Sequence, residues 1–346
     1  MLHRLDAVRI IGQLTTAGED ENAAAARHSR RDLIWGMDFG AHLPLMDFGG
    51  NPYTLRHLVD YAERAAGLGF RALSANDHMV FSVPWLDGPT ALAAVISHSG
   101  DMTLATTVSL PVIRGPVPLA KTLAAIDRLS GGRLVAAIGP GSSQQDYDAA
   151  GVDFLERWAR TDESIQALRA LLRPDAPPFV GRFYSTEGIN LEPHPSRQEG
   201  PQLWVGSWGS DAGVRRTARL GDGWLASAYN TTPELFGGAW ARLRELLPEH
   251  GRNPDSFPNA LATMWFYITE DHGEADRVMH ERVVPTVHRP EDLLRQRLPV
   301  GSAELFAEKL SAFASAGVQR VFLWPIADEA NQLELFWETV KPAIAL

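Results

Sequence analysis

The chain contains no cysteine among its 346 residues. That absence removes disulfides, thiolate metal sites and a cysteine nucleophile together, and points to a cytoplasmic protein. No apolar run approaches the roughly 20 residues that span a bilayer, and the first residues lack the apolar core of a secretory signal. Neither membrane insertion nor export is therefore expected. There is no long block of Lys and Arg, and the formal net charge is −10, so nucleic acid is not an expected partner.

Several catalytic signatures are missing as well. The stretches "GSWGS" and "GPGSS" do not form the G-x-S-x-G elbow of serine hydrolases, and Gly206, Gly209 and Gly213 miss the dinucleotide-binding spacing G-x-G-x-x-G. His272, Glu274, His280 and Glu281 lie close in sequence but lack the spacing of two-histidine helical sites, so no metal is expected.

What is present is ordinary globular composition, 45% apolar and 21% charged. Residues 1–31 are polar and alanine-rich and read as a flexible extension or short peripheral helix. From residue 32 to residue 346 one rhythm holds, in which short, continuously apolar runs alternate with stretches of helical spacing. In "TLRHLVDYAERAAGLG", for example, Leu55, Leu58, Val59, Ala62, Ala65 and Ala66 fall on one face and glycines supply the stop. Eight strand candidates emerge: "LIWGMDF", "RALSANDH", "MTLATTVSL", "GRLVAAIGPG", "QLWVGS", "DGWLASA", "LATMWFYIT" and "QRVFLWP".

Strands apolar on both faces fit a buried parallel sheet. Eight βα units predict a single α/β domain over 32–346, a TIM (β/α)8 barrel, with a doubly wound open sheet as the alternative. Two insertions interrupt it: a small hairpin within about 173–200, and a charged segment within about 270–300 that reads as a lid.

In such a barrel the chemistry sits where the strands end. Those ends are Asp38 and Phe39; Asn76, Asp77 and His78; Thr107, Val108 and Ser109; Gly139 to Ser143; Gly206 to Ser210; Ser227 to Asn230; Trp265 to Thr269; and Trp324. A histidine beside a carboxylate at a barrel mouth suits proton transfer or bonding to a ring heteroatom, which singles out Asp77 and His78. The glycine-rich ends offer backbone N–H groups at helix N-termini for an anion, with Ser142, Ser143, Ser207 and Ser210 as hydroxyl donors, although tight turns alone would use the same glycines.

Three ordered stretches carry a family resemblance. "RGPVPLAKTLAAIDRLSGGRLVAAIGPGSSQQDYDAAG", "PQLWVGSWGSDAGVRRTARLGDGWLAS" and "AERAAGLGFRALSANDH" resemble signature regions of the luciferase-like flavin monooxygenases, and the similarity spans residues 32 to about 340. The resemblance implies a bacterial-luciferase-like TIM barrel with insertions and an oxidoreductase or monooxygenase. It further implies FMN or the deazaflavin coenzyme F-420 in the mouth, with either oxygenation or oxygen-free hydride transfer.

Carried onto this chain, it assigns Asp77 and His78 to the isoalloxazine region and to proton transfer. It places a non-prolyl cis peptide at Thr107-Val108. It lines the ribityl and phosphate arms with Gly139, Gly141, Ser142 and Ser143 and with Gly206, Ser207, Trp208, Gly209 and Ser210; Asp38, as a strand end, joins the cofactor-binding set. The implied partners are a small organic substrate, with molecular oxygen or a flavin reductase, and the resemblance allows a homodimer. Two departures stand out. Trp208 replaces a commonly small residue, and Ser142 stands where some deazaflavin dehydrogenases carry an acidic general acid, which makes a sugar-phosphate dehydrogenase doubtful and His78 the best proton donor. Trp85, Tyr229, Trp265 and the 270–300 insert would shape substrate choice, with Trp265 also suited to core. The rival functions are a non-catalytic flavin-binding barrel and a metal-dependent barrel hydrolase.

Overall fold

The computed structural model describes residues 36–50, 52–287 and 289–345; the extension read over residues 1–31 lies outside them. Among the described residues nine strands occur: β1 (Asp38–His42), β2 (Ala72–Ala75), β3 (Thr103–Ser109), β4 (Leu134–Ile138), β5 (Gln202–Gly206), β6 (Gly223–Ser227), β7 (Asn259–Ile268), β8 (Val300–Gly301) and β9 (Arg320–Pro325). β1 to β7 pair in succession, and β9 pairs with both β7 and β1, so eight parallel strands close into a barrel. β8 pairs with Tyr267 and Ile268 of β7, beyond the barrel ladder. Closure excludes the open doubly wound sheet.

The helices between the strands start and stop where their end residues dictate. Helix Leu55–Leu68 begins at Thr54, whose side chain accepts from the His57 N–H, and ends at Gly69 in the left-handed region, φ 94°. It buries Leu58, Tyr61, Ala62 and Ala65, whereas Leu55, expected on that face, is exposed. Among the described residues no helix is long and apolar enough to cross a membrane.

Inside the barrel, small residues face large ones. Trp204 and Phe322 fill the interior against Ala72, Ala105, Ala137, Ala260, Ala262 and Leu225. The fit is tight enough that glycine is required: a Cβ on Gly40 would lie 2.6 Å from the Phe322 ring, and one on Gly223 would lie 2.5 Å from the Trp204 ring. This explains the one strand that the apolar runs misplace. "LIWGMDF" ends at Phe39, but β1 continues through Gly40 and Ala41 to His42, because Gly40 makes room for Phe322 on the partner strand β9.

Both interruptions are folded. Around Val180 and Ser185, which pair antiparallel, the 173–200 segment doubles back; Glu163 pins it by accepting from the N–H groups of Arg182 and Phe183 at 2.9 and 2.7 Å. The 270–300 segment forms helix His272–Arg277, a π-helical stretch Val278–Val283, and helices Val284–Val287 and Glu291–Arg297. Its Met279, Val283, Leu294 and Leu298 pack with Trp265 of β7 and Trp324 of β9.

Candidate active site at the barrel mouth

Side chains along a barrel strand alternate inward and outward. Since Gly40, Ala72, Ala105 and Phe322 contribute to the interior, residues two positions onward, His42, Ser74, Thr107 and Trp324, form the inner layer at the carboxyl ends. His42 and Ser74 are register partners, as are Trp265 and Trp324.

His78 follows β2 and is anchored from behind. Its Nδ1 lies 2.7 Å from Oδ2 of Asp146, a carboxylate only 1% exposed in helix Gln144–Ala150. Oδ1 of Asp146 accepts from the N–H groups of Met79 and Val80, both at 2.8 Å. Burial by itself would raise the Asp146 carboxyl, but the bonds from His78 and these backbone donors outweigh it and hold the group below the usual carboxylate range. The Phe81 and Trp85 rings pack on the imidazole, each 4.6 Å away by centroid. Nε2 remains the nitrogen available to a ligand.

Asp77 is placed differently from the expectation that pairs it with His78. Arg114 grips it bidentately, Nε to Oδ2 and Nη2 to Oδ1 at 2.6 Å each, and also bonds Asp87. Asp77 is 3% exposed and braces the short helix Pro111–Arg114. A carboxylate clamped in this way is structural rather than a proton carrier. Asp38 is corrected as well. It starts β1, at the opposite end of the barrel from the mouth, and pairs with Arg320 at the start of β9, with a 2.7 Å Nη2–Oδ2 contact.

The Thr107–Val108 peptide bond is cis, and the ladder to β4 shifts between Thr107 and Ser109. The Val108 side chain occupies the space that two glycines leave open: a Cβ on Gly139 would lie 2.8 Å from it, and one on Gly206 2.6 Å. These glycines therefore admit the β3 bulge. Gly141 (φ 73°) packs on Leu110, and Gly209 (φ 88°) on Ala239. Ser143 caps helix Gln144–Ala150 and Ser210 caps helix Asp211–Leu220, while Ser207 Oγ accepts from the Gly209 N–H at 3.2 Å. Each serine spends a lone pair locally and keeps its hydroxyl hydrogen for a ligand. Ser142 and Trp208 are exposed. Arg216 bonds Asp162 and lies over Trp158, so it is committed elsewhere.

Several buried polar atoms around the mouth have no partner: His42 Nε2, Ser74 Oγ, Asn76 Oδ1, Thr107 Oγ1, Ser109 Oγ, Trp85 Nε1 and Trp265 Nε1. Each unpaired group costs about 1–3 kcal/mol. A planar ligand carrying ring nitrogens and carbonyls would offer partners to donors and acceptors of this kind, so the residues fit a flavin or deazaflavin. His42 is strongly perturbed. Burial pushes its imidazole down to about 3 against the opposing bond to the Leu43 carbonyl. It is neutral, donates Nδ1–H to that carbonyl at 2.7 Å, presents Nε2 as an acceptor, and stacks on Trp324 with 3.7 Å between centroids.

Sequence reading missed His42 and Asp146. "GAHLPL" after the first run carried the signal for His42, hidden by the misplaced strand end; Asp146 sits inside a polar helix with nothing local to mark it. The residues raised as metal candidates are dispersed. Glu274 accepts from Tyr267 and Thr269, His280 pairs with Glu291, and no metal-holding cluster occurs among the described residues.

Comparison with known proteins agrees with this geometry. The luciferase-like monooxygenase family matches residues 37–288. An F-420-dependent glucose-6-phosphate dehydrogenase of Intrasporangium calvum is 30% identical over 326 residues, covering 84% of this chain and 95% of its own. The enzyme of the same description from Nocardia farcinica is 24% identical over 84% of this chain and 94% of its own. Among solved structures, an F-420-dependent secondary alcohol dehydrogenase with an F-420-acetone adduct superposes with a TM-score of 0.76 at 19% identity, over 90% of this chain and 100% of that one. An FMN-bound type II Baeyer-Villiger monooxygenase of Pseudomonas putida gives 0.70 at 17% identity, over 90% and 99%. With a closed eight-stranded barrel and a family match across most of its length, the chain belongs to the luciferase-like monooxygenase family.

Proposed function

We propose that the protein is an oxidoreductase that binds a deazaflavin or flavin across the barrel mouth and acts on a small, uncharged organic substrate. The carrying observation is the set of buried, unpartnered polar atoms on His42, Ser74, Asn76, Thr107 and Ser109 at adjoining strand ends, beside a histidine with one nitrogen free. The relatives named above favour coenzyme F-420; FMN is the second reading, supported by the fold of the Baeyer-Villiger enzyme. When bound, the cofactor supplies hydride transfer or, with oxygen, oxygenation.

The chain's own residues orient and protonate. His42 Nε2 accepts from a ligand donor, Thr107 and Ser109 hydroxyls bond the ring edge, and Ser207, Trp208 and Ser210 flank its phosphate arm beside Gly139, Gly141, Ser142, Ser143, Gly206 and Gly209. His78 Nε2 moves the proton. Trp85, Tyr229 and Trp265 form an apolar wall, with Tyr229 stacked on Trp265 at 5.0 Å, and the 270–300 segment shields it from water as a lid. A sugar phosphate fits poorly, because Arg114 is neutralised by Asp77 and Asp87 and Ser142 offers no carboxylate. A homodimer is also proposed, on the family resemblance.

Fluorescence quenching during separate titrations with F-420 and FMN tests the reading, and binding of neither would sink it. His78→Ala is expected to lower turnover at least tenfold while changing cofactor affinity little; unchanged turnover removes the proton role. A non-catalytic flavin-binding barrel predicts that reduced cofactor is consumed no faster when apolar ketones or oxygen are added.

A further inference from the structure

We infer that Asp146 is a positioning residue that fixes His78 in one tautomer, with Nδ1 carrying the hydrogen and Nε2 presented to the mouth. The inference rests on the reading that His78 handles the proton. Three donors converge on one buried carboxylate: the N–H groups of Met79 and Val80 occupy Oδ1, which leaves Oδ2 for His78 Nδ1. An ionised carboxylate only accepts, so Nδ1 must donate whether the imidazole is neutral or charged. The ionisable state therefore changes at Nε2 alone. Protonated, the ring offers Nε2–H; after giving that proton to a substrate oxygen, it becomes the neutral Nδ1–H tautomer with a lone pair on Nε2.

The surroundings leave this role to Asp146. Phe81 and Trp85, the rings packed on the imidazole, carry no charge. Asp77, next in the chain, is consumed by Arg114, which also takes Asp87. Ser143 starts the short helix that carries Asp146 by accepting from the Asp146 N–H at 3.4 Å. Ser142, the position of the family's occasional acidic residue, is exposed. The carboxylate of this chain thus enters four residues later and stands behind the histidine instead of facing the substrate.

Asp146→Asn separates positioning from mere support of the loop. The amide oxygen keeps the Met79 and Val80 bonds, but the amide nitrogen would donate to Nδ1 and invert the tautomer to Nε2–H. In the full-length protein without cofactor, 15N NMR of the imidazole should report Nδ1–H for the wild type and Nε2–H for the variant. The alkaline limb of the kcat profile, where the proton-donating imidazolium is lost, should move to lower pH by a unit or more, kcat should fall about 10²–10⁴-fold by analogy with other carboxylate–histidine pairs, and KM should change less than threefold. An Nε2–H tautomer in the wild type overturns the inference without any variant. So does a variant with wild-type tautomer and pH profile. His78→Ala with normal turnover would instead overturn the proton role of His78 while leaving the tautomer result intact.

Discussion

The two halves of the barrel mouth are built on opposite principles. At the ends of β3, β4 and β5, the absence of side chains does the shaping: Gly139 and Gly206 let Val108 enter where any Cβ would collide. On the β7 and β9 side, bulk does it, with Trp265, Trp324, Trp85 and Phe48 meeting edge to face and His42 stacked beneath. The glycine half makes room for the β3 bulge, and the aromatic half presents a rigid apolar face. Close packing explains both, since a missing or surplus methylene is felt in either.

This contrast can be broken from the aromatic side first. Trp324→Ala removes a ring 1% exposed that touches Phe48, Trp85, Trp265 and His42, and is expected to cost about 3–5 kcal/mol of stability in denaturant titrations. On the glycine side, Gly206→Ala places a Cβ 2.6 Å from Val108 and should cost about 1–3 kcal/mol as overpacking. Combining it with Val108→Ala should restore most of that loss; no recovery would mean that the two residues do not share the space. The remaining effect, small per unit of pH, is a pH dependence at their boundary. His42 is neutral in the fold, at about 3, while an unfolded histidine titrates near ~6.5. Between these values the unfolded chain binds a proton that the folded one refuses. Stability should therefore fall as pH drops below about 6.5, by at most about 1.4 kcal/mol per unit, and His42→Gln should flatten that component of the stability profile.

Legibility in the sequence followed the range of the forces involved. Eight apolar runs mark the barrel strands because burial on both faces leaves a local imprint. His78 stood out at a strand end beside a carboxylate. Its actual partner did not, since Asp146 is 68 positions away in the chain and only the folding of the β4 end brings it back. Asp77 and Asp38 misled for the same reason, because Arg114 and Arg320 claim them through contacts that no local spacing encodes.

The sequence alone determined eight apolar strands alternating with helices and a histidine at one strand end, since periodicity and strand-end composition are properties of short segments, whereas closure into a barrel instead of an open sheet appeared only in the pairing of β9 with β1 and β7. Tertiary structure decided which rim residues are free to act. Whether an imidazole is neutral, a carboxylate clamped or a glycine filled by a neighbour depends on atoms from distant segments meeting within a few ångströms. His42, Asp146 and Val108 therefore acquire their roles only once the barrel has closed.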